Sequence, residues 1–299
     1  MYLLSLFGKC MKIKGIIYIL LAALIYGFTP LLCAFTYPLG NNGFSMTFFR
    51  SFFVIPILYL IIVLKKIDLH LDRNELKALL PACIMGACLS TLFLYTSYKY
   101  ISIGSATTLH FSYPVFVLMI SSIFFKEPIK FANIFVIAVA VIGISCFMKI
   151  SDGIDIKGVL YAIASGIAYA FFMVALDKNN LSYMNRYKLS FYIAVISVFV
   201  LLSFNIVLKQ LVLIQTLHSY FYMFIVAILT SIFGIIFFKE GIKLIGATNA
   251  SIFSLFEPLS SIIVSYIFLG IKISILQMFG CFLIILSVLL LIKFNNNSC

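Results

Sequence analysis

The sequence predicts an all-α membrane protein: ten transmembrane helices arranged as two inverted repeats of five. Three observations predict it. The composition is too apolar for water, the apolar residues fall into ten runs of spanning length, and the second half repeats the first at a nearly constant offset.

Of 299 residues, 64% are hydrophobic and 10% are charged, with a mean hydropathy of +1.19. A soluble domain is typically about half apolar and about a quarter charged. One compact body could not hide this much apolar surface from water, so the bilayer is its solvent. The net charge of +12 would suit nucleic acid, but Lys and Arg sit singly or in pairs between apolar runs and form no basic face. The seven cysteines (Cys10, Cys33, Cys83, Cys88, Cys146, Cys281 and Cys299) have no paired spacing and read as small buried hydrophobes. Lys9, Lys12 and Lys14 precede a run too long for a signal-peptide core and without a cleavage site, so that run is the first span.

The ten runs cover 15–37, 44–64, 76–98, 103–125, 131–149, 156–176, 187–208, 220–240, 247–269 and 274–294. Segments this long must satisfy their backbone hydrogen bonds internally, which makes each a helix. The connections are short, as in Gly40-Asn41-Asn42-Gly43, the stretch 65–77 and the stretch 177–188, and leave no room for a soluble domain.

Alternate loops carry unequal positive charge. One set (Lys9, Lys12, Lys14; Lys65, Lys66, Arg73, Lys77; Lys126, Lys130; Lys178, Arg186, Lys188; Lys239, Lys243; Lys293) holds 15, and the other (Lys99, Lys149, Lys157, Lys209, Lys272) holds 5. The positive-inside rule puts the first set, and both termini, in the cytoplasm of a multi-pass protein of the cell membrane. Trp is absent, so Tyr37, Tyr59, Tyr98 and Tyr100 near span ends are the expected aromatic belt.

At an offset of 143, Lys14-Gly15-Ile-Ile-Tyr18 falls on Lys157-Gly158-Val-Leu-Tyr161, Tyr26 on Tyr169 and Phe28 on Phe171. At 144, Phe93 meets Phe237, Lys99 meets Lys243, Ala106 meets Ala250 and Pro114 meets Pro258. The halves are 1–150 and 151–299. Five spans per repeat is odd, so the second copy enters the membrane upside down. Inverted repeats are a recurring design of secondary transporters, whose halves rock about a site near the midplane.

Five features in order resemble a known family. They are the matched first and sixth spans; Phe49-Arg50 opening the second; Tyr98–Ala106 leading into Ser112-Tyr113-Pro114; Phe125-Lys126-Glu127-Pro128 closing the fourth; and Gly246-Ala247-Thr248 with Phe256-Glu257-Pro258 in the ninth. Over essentially its whole length the chain resembles the EamA-type members of the drug/metabolite transporter superfamily. The resemblance implies ten helices, a central cavity between the halves, and movement of amino acids or other small metabolites, commonly outward. One departure stands out: the family carries a Gly-Glu pair after both the fourth and ninth spans, and here Glu127 fills the first place while Gly270-Ile271-Lys272 fills the second.

Ionisable groups inside apolar spans are costly and mark candidate sites. Arg50 is either an anion anchor for carboxylate or phosphate, or a snorkelling side chain near a span end. Glu257, followed by Pro258, is a proton carrier, a ligand for an amino group, or a neutral acid bonded to backbone that the proline frees. Its counterpart is Tyr113, followed by Pro114, so the kink is shared and the carboxylate is not. His110 is a pH-responsive relay or a packed interior histidine. Tyr26 and Tyr169 would face each other across a central cavity or simply pack, and Asn249, Ser251, Thr107 and Thr108 offer neutral hydrogen bonds or helix-to-helix glue. Lys239 and Glu240, adjacent in sequence, read as a solvated cytoplasmic edge.

An intramembrane enzyme is the rival from another class. The sequence has no Gly-x-Ser-x-Gly, no His-Glu-x-x-His and no pair of intramembrane aspartates. Within transporters, a nucleotide-sugar or organic-phosphate exchanger would want several buried cations, and Arg50 alone is available, favouring a neutral, zwitterionic or apolar solute. The expected partners are the lipid bilayer, a small solute and protons as a coupling ion, with the chain a monomer or homodimer. No cofactor, metal or nucleic acid is expected.

Overall fold

The computed structural model describes residues 2–101, 103–146, 155–270 and 274–296. Lys149, Ile271 and Lys272, which entered the charge count or the Gly-Glu comparison, lie outside them. Among the described residues the chain is helical throughout: α1 (Tyr2–Thr36), α2 (Gly43–Leu64), α3 (Arg73–Pro81), a π-helical stretch Ala82–Leu89, α4 (Ser90–Ser97), α5 (Ile103–His110), α6 (Tyr113–Phe125), α7 (Phe131–Ser145), α8 (Ile156–Lys178), α9 (Arg186–Leu208), α10 (Leu217–Ile228), a second π-helical stretch Leu229–Gly234, α11 (Ile235–Phe253), α12 (Phe256–Leu269) and α13 (Ile275–Asn296).

Eight helical paths among these residues are long and apolar enough to cross a membrane. Two further apolar helices, Phe131–Ser145 and Phe256–Phe268, are shorter than a full crossing. The difference from ten equal spans arises largely between 217 and 269. Between the expected spans 220–240 and 247–269 the chain stays helical past 240 and breaks at Gly246, where φ is 76°, ψ is 163° and two helices meet. The left-handed φ explains why glycine stands there. The helix that begins at Ala247 is interrupted again at residues 254–255, one turn before Pro258, which has no N–H to continue it.

Lipid tails are as apolar as leucine, so helices associate through close packing rather than through the hydrophobic effect. α1 and α8 form the centre of the bundle. α1 packs on α10, α11 and α12, whereas α8 packs on α4, α5, α6 and the first π-helical stretch. Each central helix carries a glycine, Gly15 within α1 and Gly158 in the first turn of α8, that lets it close on the other half. A Cβ on Gly15 would sit 2.7 Å from Ile245 Cγ2, and one on Gly158 would sit 2.8 Å from the Ile101 and Tyr100 side chains. α2 lies against α9, and α7 against α13. Large apolar side chains such as Phe131, Val207 and Ile275 are left on the outside, as a lipid-facing surface requires.

The connections collect at two ends. One end, the charged face, carries 65–72, 126–130, 179–185 and the kink at Gly246, and the opposite face carries 40–42 and 209–216. On the opposite face the ties are neutral: Asn42 Nδ2 donates to the Gln210 carbonyl at 2.8 Å, and Val212 N donates to Ser45 Oγ at 2.8 Å. On the charged face Lys188 Nζ reaches Glu75 Oε2 at 3.1 Å and the His70 carbonyl at 2.5 Å.

Two expectations are corrected. Lys239 is no solvated edge: its side chain is buried and its Nζ lies 3.2 Å from Glu240 Oε1, because long side chains on adjacent positions can still curl together. Tyr98 does not join a belt facing lipid; its ring packs on Tyr95 at 5.7 Å and is enclosed by the bundle.

Candidate functional site

The site starts from two prolines. Pro114 is the second residue of α6 and cannot donate to the His110 carbonyl, so α5 ends there and residues 111–112 form a turn. The freed His110 oxygen lies against α8, where a Cβ on Gly166 would approach it to 2.9 Å. In the other half Pro258 plays the same part. The Ser254 carbonyl accepts the Glu257 N–H at 2.9 Å, and Ser254 and Leu255 form the turn. Both prolines are buried, and the Tyr113 side chain of one break lies near Ser254 of the other, its hydroxyl without a hydrogen-bond partner.

Around these breaks stands a group of aromatic side chains. The rings of Tyr113 and Tyr169 meet edge-on at 4.9 Å, Tyr169 stacks on Phe238 at 5.8 Å, and Tyr26 meets Phe238 edge-on at 6.1 Å. Tyr26, Tyr95, Tyr98, Tyr169 and Glu257 are half-buried among them. These half-buried polar side chains share one neighbourhood in the interior of the bundle.

Two ionisable groups flank this neighbourhood. Arg50 and Glu257 each act electrostatically on Tyr26, Tyr95 and Tyr169, which puts a cation and a carboxyl about the same rings. They are not paired with each other or with another charge among the described residues. An Arg50 Nη donates to Thr91 Oγ1 at 3.3 Å, while its Nε is buried without a hydrogen-bond partner. A buried guanidinium N–H left over in this way is a donor that the protein itself does not satisfy. Chemically, the neighbourhood offers donors at Arg50, an acceptor or acid at Glu257, and tyrosine faces for an apolar body between them.

His110 stands beside this group, closed to solvent. Its Nδ1 lies 2.9 Å from Ser165 Oγ, and Ser165 Oγ donates to the Ala162 carbonyl at 2.6 Å. A hydroxyl has one proton, so His110 Nδ1 is the donor of the shared bond. Ser90 Oγ donates to the Ser165 carbonyl at 2.9 Å, tying the start of α4 into the same knot. The arrangement joins α5, α8 and α4, and the ring packs on Tyr113 at 5.6 Å and Tyr169 at 5.4 Å. Asn249 sits elsewhere, one turn past Gly246, and donates to the Ile245 carbonyl at 2.9 Å.

The structure thus brings Arg50, Glu257, Tyr26, Tyr113 and Tyr169 into one neighbourhood, with His110 packed beside Tyr113 and Tyr169. Sequence reasoning missed Thr91, Tyr95, Tyr98, Phe238 and Ser254. Tyr95 and Tyr98 carried a usable signal: spaced three apart on one helix, they share a face.

Comparison with known proteins agrees with this architecture. The model of the EamA-like transporter family matches residues 13–148 and again 156–293. The uncharacterized transporter YcbK of Bacillus subtilis (strain 168) is 21% identical over 282 residues, covering 89% of this chain and 89% of that one. The uncharacterized transporter sll1319 of Synechocystis sp. (strain ATCC 27184 / PCC 6803 / Kazusa) is 24% identical over 316 residues, 94% of this chain and 93% of that one. A crystal structure, described only as that of a protein, superposes with a TM-score of 0.77 over 97% of this chain and 99% of its own at 13% identity, a likeness of fold. The chain is a multi-pass membrane protein and belongs to the EamA-like transporter family.

Proposed function

We propose that this chain is a secondary transporter that exports a small zwitterionic or apolar solute, amino-acid-like in its polar groups, by alternating access. The single observation carrying the reading is the placement of Arg50 and Glu257, unpaired with each other, about the same group of tyrosines, which we take to line a central cavity. A carboxylate on Arg50 and an ammonium near Glu257 would satisfy both at once, with the apolar body against Tyr26 and Tyr169. Glu257 is also the candidate carrier of a coupling proton.

In this reading ten helices form two inverted repeats, 1–150 and 151–299, that rock about the cavity. Matched features support it: the breaks before Pro114 and Pro258, the π-helical stretches Ala82–Leu89 and Leu229–Gly234, and the paired glycines 15 and 158. The lysine and arginine distribution supports a cytoplasmic charged face and cytoplasmic termini. The organic-phosphate alternative is weaker, because Arg50 is the only cation, among the described residues, acting on the cavity tyrosines.

The test is ligand-dependent stabilisation of the purified protein. Thermal unfolding in detergent is followed against zwitterions, neutral solutes and phosphorylated metabolites. Stabilisation by zwitterions is expected; stabilisation by phosphorylated metabolites alone would replace this reading with the exchanger.

A further inference from the structure

The charged face holds a cluster that the cavity does not use. Asp177, in the last turn of α8, turns its Oδ2 onto the N–H of Ala247 at 3.1 Å, across a separation of 70 residues. That N–H belongs to the residue after the kinked Gly246, whose absent Cβ would lie 3.7 Å from the same oxygen. Lys178 Nζ sits 3.2 Å from Asp177 Oδ2 and also pairs with Glu127, which closes the fourth apolar segment in the first half. Three pieces of chain are therefore fastened at one point: the 126–130 connection, the end of α8, and the helical segment that begins at Ala247. The side chains are partly enclosed, with Lys178 at 22% and Glu127 at 36% exposure.

The opposite face has no such device among its described residues. The positions matching Asp177 and Lys178 at the 143 offset are Ala34 and Phe35, and the ties there are the neutral Asn42–Gln210 and Ser45–Val212 bonds. Two inverted halves with equal gates would open either way with equal ease. Among the described residues one gate carries an ion pair and a carboxylate-held kink and the other carries neither.

We propose that Asp177, Lys178 and Glu127 form a latch that holds the charged face shut, with Asp177 the positioning residue that fixes the Gly246 kink. The latch must come apart for the cavity to open to that face, so it biases the resting protein toward opening on the opposite face. The inference rests on the transport reading above. A partly exposed pair is worth little in absolute terms, but a two-state equilibrium responds exponentially.

The test uses the full chain in liposomes, its seven cysteines replaced and one introduced by Tyr169→Cys. An impermeant maleimide is added from the charged face or, in a separate sample, from the opposite face, with no solute present. Glu127→Gln and Lys178→Gln should each raise the labelling rate from the charged face by roughly three- to tenfold. Lys178→Arg, which keeps the charge, should label like the parent. Asp177→Asn should raise labelling too, and should also expose the Ala247 amide to faster hydrogen exchange. Equal rates in parent and variants would overturn the latch and leave transport standing. Absence of labelling from either face, in every variant, would overturn both. Glu127 lies in a connection outside the helices, so its variant provides a readout even if the α8 variants fail to fold.

Discussion

His110 Nδ1 and Ser165 Oγ lie 2.9 Å apart in the buried interior, and the serine's own proton is already committed to the Ala162 carbonyl. Ser165→Ala therefore strands a buried N–H and should cost about 1–3 kcal/mol of stability. Adding His110→Phe removes the stranded donor and keeps a ring against Tyr113 and Tyr169, so the double variant should recover about 1 kcal/mol. Unfolding of the single and double variants in mixed micelles measures the coupling. Strict additivity would show that the bond contributes nothing.

Gly166 and Gly40 separate close approach from backbone strain. Gly166→Ala drives a Cβ to 2.9 Å from the His110 carbonyl oxygen, a backbone atom that cannot swing aside, and should cost about 1–3 kcal/mol. At Gly40 nothing lies within 4 Å of the added Cβ, but φ is 89°, so Gly40→Ala should cost only roughly 1–2 kcal/mol. The same unfolding measurement ranks them. A larger loss at Gly40 would contradict the tight contact that Pro114 creates.

Arg50 and Glu257 are expected to act on binding rather than on folding. Arg50→Lys keeps the charge and loses the planar fork, and should weaken a carboxylate-bearing solute by about tenfold. Glu257→Gln should weaken a solute with an ammonium group and leave its neutral analogue unaffected. Equilibrium binding to the two variants decides it; equal loss for both solutes in both variants would indicate damage to the cavity as a whole.

Orientation has a simple check. Leu39 and Ile129 are exposed near opposite ends of the bundle, at 39% and 52%. In a cysteine-free background, Leu39→Cys should react with an impermeant thiol reagent added to intact cells, and Ile129→Cys only after lysis. The reverse pattern would invert the topology.

Much of the fold could be read from the sequence because bilayer thickness dictates run length and proline dictates breaks. The ends of α2, α8 and α9 fall within two residues of the expected spans. The break between the eighth and ninth spans falls at Gly246 rather than just after 240: Lys239, Glu240 and Lys243 look like a loop, but Lys239 and Glu240 pair and Lys243 lies over the Tyr183 ring at 4.8 Å, so the helix runs on to Ile245. Arg50, Glu257 and the matched tyrosines were legible because a charge in an apolar run stands out and a repeat finds its counterpart. Tyr95 and Tyr98 were hidden, since tyrosine near a span end has two uses and sequence does not say which way the ring faces. Asp177 was read as the start of a loop, because its partner is 70 residues away.

The central claim is that the tyrosine-lined cavity carries a solute across the membrane. The most direct measurement is counterflow: liposomes holding the purified chain are loaded with unlabelled solute and diluted into a trace of the labelled compound, across a panel of zwitterionic and neutral metabolites. Transient accumulation of at least one labelled zwitterion is expected, reduced by Arg50→Lys and by Glu257→Gln in separately prepared vesicles. No accumulation of any solute by folded, correctly inserted protein would contradict the account.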